Sequence, residues 1–144
     1  MANKRWLAAP LIASACLPAF ADSSCRAASA SFVDAISHYK KDGRQAFMDR
    51  FLRGGPLGEK MATEGSEHLL NIERVLGPFE DGAVLSAKAL GGRACYVIAA
   101  LEYESGPAFI ASTYYTARNG TFPMSLRVEA EPEKMFSTPA LISD

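Results

Sequence analysis

The sequence has little that names a reaction. Its 144 residues hold two histidines and three cysteines, and these lie too far apart for a zinc set. No nucleophile elbow surrounds any serine. Fifteen Lys+Arg stand against 16 Asp+Glu, so no basic stripe exists to track a phosphate backbone, and nucleic-acid binding is excluded as a leading function. Beyond the first twenty residues, no apolar run is long enough to span a bilayer. A single tryptophan, Trp6, sits at the N-terminus. No metal and no cofactor is expected.

What is present begins with an export signal. Lys4 and Arg5 make a positive start, Trp6 to Leu17 is a short apolar run, and Ala19-Phe20-Ala21 offers small residues to a peptidase. Cleavage after Ala21 is predicted, so 1–21 is the signal peptide and 22–144 a single α+β domain, with 137–144 a loose tail. A buried N-terminal helix and a lipidated Cys16 are the alternatives. Removal of 1–21 leaves 13 bases against 16 acids and no tryptophan. The compartment is then periplasmic or secreted. There, the remaining pair, Cys25 and Cys95, is expected to form a disulfide, with two free thiols as the alternative.

Nearly half the residues are hydrophobic, which suits a folded domain. After a polar leader over 22–30, Ser31 reads as an N-cap with Asp34 three residues on. Phe32, Val33, Ile36 and Tyr39 follow at helical spacing, and Asp42-Gly43 ends that helix. A second helix is expected over 44–52 and a third over 58–76, divided at Gly65-Ser66 and closed by Gly77-Pro78. From Asp81 the period changes to two. Strands are expected over 83–90, 94–103, 108–117 and 121–130, with turns at Gly91-Gly92, Ser105-Gly106 and Asn119-Gly120. Pro123 marks strand four as an edge.

If the last two hairpins use two-residue turns, Tyr96, Ile98, Ala100, Phe109, Ala111, Thr113, Tyr115, Met124, Leu126, Val128 and Ala130 share one face. Being almost wholly apolar, it is the expected core side. Cys95, Val97, Leu101, Tyr103, Ile110 and Tyr114, with Arg127 and Glu129, make the other, mixed face. That placement sets Cys95 away from the helices that carry Cys25, so either the leader wraps the sheet edge or a hairpin is slipped by one residue. A mixed aromatic face also asks for cover by a protein partner or a second copy.

Helices followed by a meander resemble the nuclear transport factor two-like and cystatin-like α+β rolls, and small exported bacterial proteins of that class. The residues that carry the likeness are Val75-Leu76-Gly77, Glu102-Tyr103-Glu104-Ser105-Gly106-Pro107-Ala108-Phe109 and Asn119-Gly120. The resemblance implies about three N-terminal helices packed on a curved four-stranded antiparallel meander sheet. It implies little chemistry, since those exported proteins mostly have no assigned function. Enzymes on this fold use Asp, His or Tyr in the helix–sheet cavity, and no such set is matched here.

The residues nominated for a ligand site are Tyr96, Glu102, Phe109 and Tyr115. Glu102 is the one charge on the expected core face, and the aromatics could line a pocket; plain core and a solvated carboxylate are the ordinary readings. His68 lies beside Glu64 and Glu67, and His38 four residues after Asp34. A triad of Ser112, His38 and Asp34 can be drawn on paper only. The expected function is therefore a non-enzymatic exported domain that binds a protein partner or small ligand. An inhibitor or immunity-type protein and a cavity enzyme are the alternatives.

Overall fold

The computed structural model describes residues 19–136. Three helices come first: α1 (Ala19–Asp42), α2 (Arg44–Phe51) and α3 (Gly58–Leu76). Five strands follow: β1 (Phe79–Ala89), β2 (Ala94–Tyr103), β3 (Gly106–Ala117), β4 (Gly120–Pro123) and β5 (Arg127–Glu129). A short helix, α4 (Pro132–Phe136), ends the described chain. The strands lie in the order β1-β2-β3-β4, all antiparallel, and β5 also pairs with β3. Helices α1–α3 cover one face of this meander, as the α+β expectation required. No helix among the described residues is long and apolar enough to cross a membrane.

The expected leader is not a leader. Residues 22–30 belong to α1, and Ser31 lies inside the helix rather than capping it. The stripe that docks the helix starts at Cys25 and runs through Ala28, Phe32, Ala35, Ile36 and Tyr39. These positions recur every three or four residues, so the helical period extends a further two turns upstream. Alanines at 27, 28 and 30 carry high helix propensity. Most of the signal segment falls outside the described residues; only its last three, Ala19 to Ala21, lie in the first turn of α1.

Helix α3 is likewise unbroken. Gly65 is a contact rather than a divider: a Cβ there would collide with the Met48 side chain of α2. The helix ends at Gly77 (φ +87°), whose N–H donates to Glu73 O at 2.9 Å. The β2–β3 turn completes the cap, with Ser105 N donating to Leu76 O at 2.7 Å and Glu104 N to Pro78 O at 3.1 Å. That turn is Glu104-Ser105 and the next is Arg118-Asn119, each one residue earlier than expected.

The larger correction concerns the faces. Pairing of β2 with β3 keeps Tyr96, Ile98, Ala100, Phe109 and Ala111 on one side. The helices cover the opposite side, where Cys95, Val97, Ala99, Leu101, Tyr103, Ala108, Ile110 and Tyr114 are all buried in the main core. Strand β2 is apolar at nearly every position, so alternation could not choose between its faces. The rings of Phe32, Phe47 and Phe51 share the inner cluster with Ala99 and Ala108. Phe51 meets Phe32 edge-on at 5.2 Å and stacks on Phe47 at 5.6 Å. Each such ring, fully buried, contributes about 2–3 kcal/mol.

With the faces exchanged, Cys95 points at α1 and the Cys25–Cys95 disulfide forms across a Cα–Cα distance of 5.1 Å. Neither a wrapped leader nor a slipped hairpin is needed.

Strand four is split, and Pro123 marks the place. Between the pairs Tyr114–Pro123 and Ile110–Val128 the chain takes four steps along β3 but five along its partner. The extra residue is a bulge. Ser125 repairs the ladder there: its hydroxyl accepts from Thr113 N at 2.9 Å and its carbonyl accepts from Ser112 Oγ at 2.7 Å. Val128 therefore lies on the helix side and Arg127 and Glu129 on the outer side, as expected relative to the core, but Val128 joins Ile110 instead of Phe109 and the two charges join Ala111 and Phe109.

Candidate functional site

The helix–sheet interior is the place where enzymes of comparable architecture would react, and here it is filled. Tyr39 in α1 donates to Glu73 Oε1 in α3 at 2.7 Å and lies 3.4 Å from the Tyr103 hydroxyl in β2. Arg44 Nη1 donates to Glu73 Oε2 at 3.2 Å. Burial pushes Tyr103 up to about 12 and Tyr39 higher still; hydrogen bonds to Tyr103 and Glu73 add to the rise at Tyr39. Both phenols stay neutral at ordinary pH and act as struts between helices and sheet. Burial also raises Tyr114, whose hydroxyl makes no hydrogen bond of normal geometry among the described residues.

The paper triad does not assemble. His38 Nδ1 turns forward to Asp42 at 3.5 Å, Asp34 pairs with Arg50, and Ser112 gives its proton to a backbone carbonyl. His68 is exposed on α3, and Glu64 pairs instead with Lys60. Among the described residues no three His, Cys, Asp or Glu converge on a metal position.

All four nominated ligand residues lie on the outer face, but in two separate places. Phe109 is 9% exposed in a small cluster with Ile98, Ala100 and Ala111, sealed by Met135 of α4. Arg127 holds α4 in position by donating to Lys134 O at 2.6 Å. Glu102 is exposed at the β2–β3 turn end, opposite Pro107, so it reaches solvent rather than a cavity. Tyr96 is half-buried against the edge of the Phe109–Met135 cluster, and Tyr115 lies at the far end of the strands.

That second place is the candidate site. Two cross-strand rows remain uncovered there. One runs Lys88, Tyr96, Thr113 and the other Ala94, Tyr115, Phe122. Met124, whose N–H donates to Thr113 O, continues the first row, and Leu90, whose N–H donates to Ala94 O, flanks the second. Leu90, Tyr115 and Met124 are 52, 36 and 45% exposed, so three of the six exposed large apolar side chains among the described residues lie on these rows, the others being Val33, Val75 and Leu85. Arg93 lies over the Tyr115 ring, 5.3 Å from its centroid, and its Nε donates to Thr116 O at 3.0 Å. Tyr96 and Tyr115 were legible from the sequence. Met124 was expected on the same face as these two, whereas Leu90, Arg93 and Phe122 were not singled out, because turn geometry decides where they point.

A separate cleft of about 470 Å³ opens between α2 and the start of α3, with Leu52 and Ala62 as its floor and Asp49, Arg53 and Glu59 on its walls. Nothing in the sequence pointed to it.

No family model matches the chain, and no curated protein matches it. A solved structure to which it is similar is the crystal structure of the intermembrane space region of chloroplast protein ARC6. That alignment covers 77% of this chain and 97% of the other, at 14% identity and a TM-score of 0.40. Such values extend nothing from that protein to this one.

Proposed function

We propose that the protein is an exported, non-enzymatic binding domain that holds a protein partner against the uncovered end of its outer sheet face. The observation that carries this reading is the concentration of exposed apolar side chains on those two rows. A flat pleated patch suits a protein segment better than an enclosed small molecule, which needs a concave site. An inhibitor or immunity-type protein would be one case of such a domain. The cavity-enzyme alternative has less support, since the interior is occupied by rings and Glu102 faces solvent. The helix-then-meander order keeps the nuclear transport factor two-like and cystatin-like roll class as the proposed kinship.

The disulfide supports an oxidising compartment, in keeping with removal of 1–21. A processed chain would begin at Asp22, one turn before Cys25. Its mass in an exported fraction should fit that start and lie about two mass units below the reduced form.

The binding reading is tested with a photo-crosslinking residue at Met124, on the patch, and another at Val75, 78% exposed on α3. Crosslinked product is expected in living cells from position 124 and not from 75. Equal yields from both positions, or none from 124, would overturn it.

A further inference from the structure

The charge around the uncovered rows is of one sign. Lys88 stands in the first row beside Tyr96. Arg93 lies over Tyr115, and Arg118 sits in the β3–β4 turn just beyond. Among the described residues the outer-face carboxylates lie elsewhere: Glu102 opposite Pro107, Glu129 opposite Phe109 and paired with Arg127, and Glu131 and Glu133 at α4, Glu131 paired with Lys134. Four strands at about 4.8 Å spacing and two rows about 7 Å apart make a patch of about 14 by 7 Å. That size seats two or three side chains of an extended segment.

We infer that the partner presents an acidic segment carrying aromatic or aliphatic side chains, seated on Tyr96, Tyr115 and Met124 and rimmed by Lys88, Arg93 and Arg118. This rests on the binding reading and adds the chemistry of the partner. A second copy is a poor occupant. Two-fold pairing of the patch with itself would set these cations against their own copies, and like charges across an interface oppose association. An acidic segment meets them with opposite charge, while its apolar side chains cover the exposed rings and thioether.

The probe is a fluorescein-labelled twelve-residue peptide (about 1.5 kDa) alternating Glu or Asp with Phe or Leu. It is titrated by anisotropy into the protein purified from the exported fraction. Two control peptides carry Lys in place of the acids, or Ser in place of Phe and Leu. Saturable binding of the first peptide is expected, weaker by about tenfold or more for either control. The double variant K88E/R93E should lose about tenfold for the acidic peptide and gain affinity for the Lys peptide. Tyr115→Ser should weaken both.

Binding of the Ser control equal to that of the acidic peptide would reduce the effect to bare charge and overturn the inference. So would indifference to K88E/R93E in a variant with unchanged circular dichroism. Binding only after residues 137–144 are deleted would assign the face to the chain's own C-terminus. Co-sedimentation with phosphatidylglycerol vesicles, abolished by K88E/R93E in the absence of peptide binding, would assign it to a membrane surface. Either result overturns the proposal. Crosslinks from Met124 to a partner without acidic-peptide binding would sink this inference and leave the binding reading standing.

Discussion

The two faces of the β2–β3 hairpin are almost equally apolar in sequence and are treated in opposite ways. The inner face is closed by three helices, by a disulfide and by the Tyr39–Glu73–Tyr103 contact. Among the described residues, the outer face is closed at one end by Met135 of a five-residue helix, with Tyr96 packed beside it, and is open at the other. Hydrophobicity alone therefore does not say which side of a sheet is core. The ring cluster of α1 and α2 and the covalent tie at 95 mark the inner side. The open end keeps its aromatics and adds a rim of cations, which a face built only for stability would not need.

The contrast predicts unequal costs of truncation. Phe32→Ala, deep in the ring cluster at 0% exposed, should cost about 3–5 kcal/mol. Denaturant titration would show it as a lower midpoint at unchanged slope. A cost under about 1 kcal/mol would mean that the inner face is not the principal core. Next comes the tie itself. C25S/C95S removes a crosslink spanning 70 residues, worth about 4 kcal/mol on the chain-entropy account. Amide exchange should quicken first in α1 upstream of Phe32, the part the bond holds to the sheet. Protection there equal to wild type would show that packing alone docks those turns.

The order and type of elements were legible because each has a local physical signature. Gly77-Pro78 closes α3, β2 was bounded at both ends by turn glycines, and Cys25 and Cys95 were the pair left once an oxidising compartment was argued. Three things were not legible, for one reason: each depends on contacts distant in sequence. Cys25 and Ala28 look polar or neutral until Cys95 and the sheet lie beneath them. Gly65 looks like a breaker until Met48 lies against it. Val128 joins Ile110 rather than Phe109, and Arg127 and Glu129 join Ala111 and Phe109, because one extra residue is taken up near Ser125, where a serine hydroxyl can stand in for a backbone group. Of the candidate site, the two tyrosines were visible from period-two spacing. Met124 was expected on their face as well, while the cations depended on turn geometry.

The closed end of the outer face should fall between the extremes. Met135→Ala uncovers Ile98, Ala100 and Phe109 and should cost about 2 kcal/mol, the low end for a buried methionine. It should also raise binding of a hydrophobic dye, by joining the closed end to the open one. An unchanged dye signal would mean that α4 does not need its methionine to stay in place.

Alkaline pH probes the inner struts. Burial raises the folded-state Tyr103 from 10.0 to about 12, so the neutral phenol is favoured in the folded chain. Its contribution is complete below pH 10 and is lost as pH rises through about 12, because the unfolded chain ionises first. The Tm of the wild type should therefore fall more steeply between about pH 9 and pH 12 than that of Tyr103→Phe, a difference of order 1–2 kcal/mol. Parallel curves would show that Tyr103 is less sealed than the packing implies.

The smallest effect is the most telling for the open rows. Tyr115 is 36% exposed and makes its one ring contact with the Arg93 guanidinium. A surface cation–π pair is worth about 0.5–1 kcal/mol, and part of that returns when the freed guanidinium is hydrated. Tyr115→Ala should thus change stability by no more than about 0.5 kcal/mol, while removing much of the crosslinking from position 124. A side chain that contributes almost nothing to folding yet controls what touches the surface is held there for contact. Were Tyr115→Ala instead to unfold the domain as Phe32→Ala does, the outer rows would be core like the inner ones, and the difference between the two faces would disappear.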